Sequence, residues 1–130
     1  MPRVSLWFFA VAVIYATIGM AWGLHMGASQ DHVLYPAHAH WNLLGWVGMS
    51  IYGTFYALAR EQASQKLAWA TFVLANLGAL IMAPSLALLL AGGDDPNSPY
   101  FMGVGVGAVI TILGMITFAV SVWMVLLKKA

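Results

Sequence analysis

The chain has 130 residues, of which 62% are hydrophobic and only 7% are charged, and its formal net charge is +1. A soluble domain carries about 25% charged residues, so this composition excludes a water-soluble globule and indicates a protein dissolved in lipid. The small net charge excludes a basic surface for nucleic acid, and the absence of cysteine excludes disulfides, thiolate metal sites and a cysteine nucleophile.

Four uncharged intervals follow one another along the chain, and each is longer than the roughly 20 residues that a helix needs to cross the hydrocarbon core. They predict an all-α bundle of four transmembrane helices in a lipid bilayer. The connections are too short for a separate soluble domain, so residues 1–130 are predicted to form a single transmembrane domain. The predicted helices cover about residues 5–26, 36–59, 67–91 and 99–127.

The first predicted helix carries three glycines at four-residue spacing, Gly19, Gly23 and Gly27. Small residues at this spacing let two helix backbones approach closely in lipid. Close helix packing is therefore one interpretation of these glycines, and space for a flat cofactor is another.

All four histidines lie between positions 25 and 40, at one end of the first two predicted helices. His25 ends the first helix, His32 lies in the connection beside Asp31, and His38 and His40 open the second helix. Ionisable side chains at membrane depth are expensive and therefore mark candidate functional sites. Positions two apart on a helix point about 200° away from each other, so His38 and His40 are not expected to face the same site.

Two interpretations of these histidines remain open. In one, the imidazoles lie in the headgroup region and bond only to water and lipid, which is how we interpret His32 in its connection. In the other, His25, His38 and His40 include ligands to a haem iron, because a bis-imidazole haem needs two histidines at similar depth within apolar walls. Copper is a further alternative, since methionines such as Met26 are soft metal ligands.

The third and fourth predicted helices carry fewer polar signals. Asn76 lies at mid-membrane and is predicted to bond to another helix, while Gly103 and Gly107 repeat the four-residue spacing of small residues. Ser98 is the expected N-cap of the fourth helix.

The basic residues predict the orientation of the chain. All five Lys and Arg residues fall at the N-terminus, in the second connection and at the C-terminus. Basic residues that flank membrane helices stay on the cytoplasmic side, which predicts that both termini are cytoplasmic and that the histidines lie near the periplasmic face. We therefore predict a multi-pass protein of the bacterial inner membrane.

The histidine-containing stretch resembles a known family. The segment "HAHWNLLGWVGMSIYG" (38–53), preceded by "IGMAWGLHMG" (18–27), is similar to the first helices of the haem-copper oxidase subunit I superfamily. The likeness is greatest to its nitric-oxide-reductase-like and cbb3-like branches and to short four-helix relatives, and it covers about residues 15–60. In that family, a histidine near the outer side of the second helix ligates a low-spin haem.

The resemblance implies that this chain binds haem b, with copper as the alternative. The matching ligand position is His38 or His40, and we prefer His40 because it lies deeper. The second ligand is then His25, the other histidine of the second helix, or a histidine from another copy of the chain. Trp41 and Asn42 are the expected neighbours of the cofactor.

The expected function is that of a membrane b-type cytochrome, which passes electrons or binds haem or a diatomic gas. The four predicted helices hold no counterpart of the family's later histidine ligands, and no general base, nucleophile or paired carboxylate, so we do not expect an enzyme that reduces oxygen or nitric oxide. We expect a homo-oligomer and a respiratory redox partner. The alternatives are a cofactor-free structural or assembly subunit of a respiratory complex, and a periplasm-facing copper-binding protein.

Overall fold

The computed structural model describes residues 1–129, and every regular element in that range is helical. The helix α2, over residues 35–58, consists of three consecutive parts. The bounds are α1 Arg3–Ser29, α2 Tyr35–His40, Trp41–Gly48 and Met49–Leu58, α3 Gln65–Ala91, and α4 Pro99–Lys129. Three helices, α1, α3 and α4, are long and apolar enough to cross a membrane. The prediction of an all-helical membrane fold is confirmed at this level, and the boundaries differ from the predicted ones by no more than a turn.

The middle part of α2, Trp41–Gly48, is a π-helix, in which backbone hydrogen bonds join residues five apart instead of four. The sequence pattern predicted a helix here but not its wider turns. Two glycines lie in these turns: a Cβ at Gly48 would lie 3.2 Å from the Leu43 carbonyl oxygen, and a Cβ at Gly45 would overlap the Tyr15 ring of α1. Glycine at these positions leaves room for the local backbone and for the close approach of α1.

The helices α1 and α2 pack as an antiparallel pair. At Gly53, a Cβ would lie 2.9 Å from Phe8 Cβ, and at Gly19 it would lie 2.8 Å from Asn42 Cγ. Between these points, Trp41 Nε1 donates a hydrogen bond of 2.9 Å to the Tyr15 carbonyl oxygen. The pair is held by close approach of backbones and by one side-chain bond across it.

The helices α3 and α4 form the second antiparallel pair and are in contact along most of their length. A Cβ at Gly107 would lie 2.7 Å from Met82 Cα, and one at Gly103 would lie 3.0 Å from Ser85 Cβ. Ser98 caps α4, because its Oγ accepts a bond of 3.3 Å from the Tyr100 backbone N–H. The predicted close contacts of Gly103 and Gly107, and the predicted cap, are confirmed.

Buried polar and aromatic side chains join the two pairs. Tyr56, fully buried on α2, donates from its hydroxyl to Ser121 Oγ at 2.8 Å and lies 3.0 Å from Thr71 Oγ1. The Thr71 hydroxyl is also hydrogen-bonded to the Thr117 hydroxyl of α4, with 2.9 Å between the two Oγ1 atoms. Deeper along α3, the Tyr15 hydroxyl donates to Asn76 Oδ1 at 3.3 Å, which confirms the predicted interhelical bond of Asn76.

The bundle has two distinct ends. We call them the histidine end, formed by residues 25–40 and 91–99, and the basic end, formed by residues 1–3, 59–66 and 126–128. At the basic end, Lys128 Nζ donates a bond of 2.8 Å to the Gln62 carbonyl oxygen, so the last turn of α4 meets the connection between α2 and α3. The Tyr56 network lies toward the basic end, and the candidate site lies toward the histidine end.

Candidate cofactor site

His38 lies in the first turns of α2 and faces α1. Its imidazole is half-buried and meets the Trp22 ring edge to face, with ring centroids 5.7 Å apart and an angle of 83° between the planes. A Cβ at Gly23 would lie 3.2 Å from Cε1 of the imidazole and 3.5 Å from Nε2. Gly23 therefore gives the imidazole the space that a larger residue of α1 would fill.

Asn42 lies one turn beyond His38 and fixes the local arrangement. Its Nδ2 donates a bond of 3.0 Å to the His38 carbonyl oxygen and also lies 3.3 Å from each of the two ring nitrogens. The two ring nitrogens point in diverging directions, so a single amide nitrogen cannot be aligned with both. The amide therefore lies against the ring, and at least one ring nitrogen is left with no other hydrogen-bond partner among the described residues.

These side chains form part of a groove on the surface of the α1–α2 pair. We call it the His38 groove; it encloses about 270 Å³ and is open on the side facing away from the bundle. Its rims are Met20 on α1 and Trp46 on α2, whose side chains are 61% and 45% exposed. Its lining residues are Gly19, Met20, Gly23, His38, Asn42 and Trp46.

His40 lies outside this groove and has different surroundings. Its Nδ1 is 2.7 Å from the Pro36 carbonyl oxygen. A carbonyl oxygen only accepts, so Nδ1 carries the proton and the lone pair is on Nε2. This is the tautomer that histidine ligands adopt when a backbone carbonyl orients them. As the two-residue spacing predicts, His38 and His40 do not share a site.

The other predicted site residues also lie outside the His38 groove. His25 is exposed at the end of α1, and His32 Nδ1 lies 3.1 Å from the Gln30 carbonyl oxygen within the connection. Trp41 uses its indole N–H in the bond to Tyr15 that joins α1 and α2. Of the five predicted residues, the groove brings together only His38 and Asn42.

Two residues of the groove, Met20 and Trp46, were not among the predicted site residues. The signal for Trp46 is its spacing, because His38, Asn42 and Trp46 are four residues apart and such residues lie on one face of a helix. The contact between Gly23 and His38 could not be predicted in this way, because it depends on the register between the antiparallel helices α1 and α2. Sequence alone does not provide that register.

Among the described residues, the groove does not contain the ligands of a bare metal ion. Within residues 1–129 there is no group of three or more His, Cys, Asp or Glu side chains placed to hold a metal ion. The groove instead offers one imidazole, one amide and two aromatic neighbours, and His38 and Asn42 occupy the space beside Gly23 and Gly19. An imidazole and aromatic neighbours are two of the features that a haem site requires, since the iron needs axial ligands and the ring needs apolar walls.

Comparisons with family models, with curated proteins and with solved structures find no match for this chain. The resemblance to the haem-copper oxidase superfamily therefore stays a prediction. The class of protein that the fold supports is a multi-pass helical membrane protein, and its function has to be argued from the His38 groove.

Proposed function

We propose that this protein binds haem b in the His38 groove, as a membrane b-type cytochrome that transfers electrons. The observation that carries the proposal is the environment of His38. Its half-buried imidazole lies between Trp22 and Gly23, with at least one ring nitrogen not committed to another described residue. A haem iron requires an imidazole nitrogen as its axial ligand and apolar surroundings for its ring.

Each lining residue has a role in this proposal. His38 would supply the axial nitrogen, and Asn42, anchored on the His38 carbonyl oxygen, would restrict the rotation of the ring. Met20 and Trp46 at the rims, with Trp22 beside the imidazole, would exclude water from the bound ring. Gly19 and Gly23 leave the space beside α1 that Asn42 and His38 occupy. When bound, haem supplies a one-electron redox centre. The groove holds no carboxylate and no nucleophile, which fits electron transfer better than bond-making chemistry.

The proposal includes a position in the membrane. The whole of α2 would cross the bilayer as a fourth span, since its three parts follow one another without a break from 35 to 58. Arg60, Lys66 and Lys128 lie at the basic end, which supports a cytoplasmic location of that end because basic residues stay on the cytoplasmic side. The His38 groove would then lie near the periplasmic face of a bacterial inner membrane.

Optical spectra of the detergent-purified protein, oxidised and reduced, test the proposal. We expect a haem Soret absorption that is lost in His38→Ala and retained in His32→Ala, the matched control in the exposed connection. A His38→Gly variant leaves space for added imidazole, which is expected to restore the spectrum. Colourless protein from haem-replete cells would refute the proposal.

The same experiment decides between His38 and His40. Our sequence-based preference was His40, whose Nδ1 is bonded to the Pro36 carbonyl oxygen. If His40→Ala loses the Soret absorption and His38→Ala keeps it, the His38 groove is not the haem site. Copper in elemental analysis of colourless protein would support the copper alternative, and colourless, metal-free protein that co-purifies with a larger oxidase would support a structural subunit.

A further inference from the structure

We infer that the cavity beside Tyr52 is a binding site for a lipid-soluble compound with one six-membered ring and a carbonyl oxygen. The cavity lies between α2, α3 and α4 and encloses about 220 Å³. Its walls include Gly48 and Tyr52 of α2, Ala75 of α3 and Thr111 of α4. This Tyr52 cavity shares no lining residue with the His38 groove, so the inference goes beyond the proposed haem function and does not rest on it.

The first argument is the hydroxyl of Tyr52, which has no hydrogen-bond partner within residues 1–129. Tyr52 is only 7% exposed, whereas the hydroxyls of Tyr15 and Tyr56 in the same bundle are both bonded. Among the described residues, Ser5 has the only fully enclosed side-chain oxygen without a partner, so the Tyr52 hydroxyl is not sealed by packing and opens into free space. An unpaired donor in a buried position is costly, and a ligand that accepts its hydrogen bond removes that cost.

The second argument is the direction of the Tyr52 ring. Its Cε2, next to the carbon that bears the hydroxyl, lies 3.9 Å from a Cβ built on Gly48, and Gly48 lines the cavity. The Phe118 ring of α4 packs against the same ring, with centroids 4.7 Å apart. The edge that carries the hydroxyl therefore lies at the cavity wall, and Phe118 holds it there.

The third argument is the chemistry of the walls. Apart from Tyr52, the one polar side chain among the described lining residues is Thr111, whose hydroxyl donates a bond of 2.9 Å to the Gly107 carbonyl oxygen. The Tyr52 hydroxyl is thus the uncommitted donor of an apolar cavity. An ordered water needs two to four polar partners, so this cavity holds water poorly. A ligand oxygen that accepts one bond and donates none, as in a carbonyl group, matches the single donor.

The fourth argument is size. A dry cavity of about 150 Å³ lined by apolar side chains binds benzene. The Tyr52 cavity, at about 220 Å³, has room for one six-membered ring with a small substituent. A larger ring system would have to displace the helices that form the walls.

The fifth argument is access from the bilayer. The rim on α2 consists of Leu43, Val47 and Ile51, which are 61%, 39% and 55% exposed. The opposite walls, at Ala75 and Thr111, belong to the central parts of α3 and α4, two helices long and apolar enough to cross a membrane. Ester carbonyls of lipids lie near the membrane surfaces and not at this depth, so the ligand is a compound dissolved in the hydrocarbon core.

Two probes of the same shape test the site. Acetophenone has the carbonyl oxygen, and α-methylstyrene has a CH₂ group in its place. Equilibrium dialysis measures their binding to the protein in lipid nanodiscs, with empty nanodiscs as the baseline. We expect Tyr52→Phe to weaken the binding of acetophenone about 2- to 10-fold, the effect of one hydrogen bond, and to leave that of α-methylstyrene unchanged. Tyr35→Phe, on an exposed side chain, is the matched control and is expected to change neither.

A second pair of variants tests the position of the probes. Val47→Phe adds a ring at the rim of the cavity and is expected to weaken the binding of both probes. Val73→Phe, on a side chain of α3 that is 49% exposed and outside the cavity, is the control and is expected to change neither. If Tyr52→Phe weakens both probes equally or neither, or if Val47→Phe leaves their binding unchanged, the inference is wrong.

The stability of the protein without a probe separates ligand binding from a structural role of the hydroxyl. Because the Tyr52 hydroxyl bonds to no helix, we expect Tyr52→Phe to unfold at the same SDS concentration as the native chain. Destabilisation as large as that of Tyr56→Phe would show that the hydroxyl has a partner within the protein, and would overturn the inference. The haem spectrum tests the proposed function separately, so the failure of one proposal does not affect the other.

Discussion

The contact between Gly45 and Tyr15 gives the sharpest test of how α1 and α2 are held together. In Gly45→Ala, the new Cβ would lie 2.9 Å from Tyr15 Cβ and still closer to the ring, whereas ordinary contact begins at 3.4 Å. A side-chain rotation does not move a Cβ, so the two helices must separate by about 0.5 Å, the difference between these distances. Overpacking of this kind costs about 1–3 kcal/mol. Separation of the helices also weakens the Trp41–Tyr15 hydrogen bond, which adds about 0.6 kcal/mol to the loss, the average value of such bonds in membranes.

The free energy of unfolding in an SDS titration, followed by tryptophan fluorescence, measures this loss. Gly105→Ala is the matched control, because no atom lies within 4 Å of a Cβ at that position and alanine favours the helix. Tyr15→Ala removes the ring atoms but keeps the Cβ, so a double-mutant cycle is expected to show a smaller loss from Gly45→Ala in the Tyr15→Ala background than in the native chain. If Gly45→Ala is as stable as Gly105→Ala, the α1–α2 contact described above is incorrect.

Two further predictions concern the Tyr56 network and the orientation of the chain. Tyr56→Phe removes the hydroxyl that bonds to α3 and α4, so we expect the free energy of unfolding in the same titration to fall by about 1 kcal/mol. Tyr35→Phe changes an exposed side chain and is expected to cause no loss. Equal stability of the two variants would contradict the network. For orientation, a membrane-impermeant thiol reagent added to intact cells is expected to label Asn97→Cys and not Gln62→Cys. The reverse pattern would place the His38 groove at the cytoplasmic face.

Much of the fold could be predicted because the charges of this chain are few. Each uncharged interval contains one helix, and the polar residues between them mark the connections. Asn76 was correctly predicted to bond across helices, because an amide at mid-membrane has no water to satisfy it. Gly27 shows the limit of such reasoning, since it follows the same spacing as Gly19 and Gly23 but contacts no other helix.

The candidate site was harder to predict because it depends on two helices at once. Depth along one helix favoured His40, while the groove that contains His38 exists only where Gly19 and Gly23 of α1 pass beside it. The register that brings them together is fixed by Gly45 and Gly53, at which larger residues would collide with α1. A single sequence shows these glycines but not the partners that they accommodate.

The π-helical part of α2 connects the helix packing with the groove. On one side of these wide turns, Trp41 and Gly45 contact Tyr15 of α1. Asn42 and Trp46, one residue further along in each case, line the groove. Such turns are rare in helices and persist where the surroundings stabilise them, often at functional sites. Here the bond from Trp41 to the Tyr15 carbonyl oxygen joins α1 to the same turns that carry Asn42. The packing of α1 therefore positions Asn42 and, through its bond to the His38 carbonyl oxygen, the imidazole that we propose as the haem ligand.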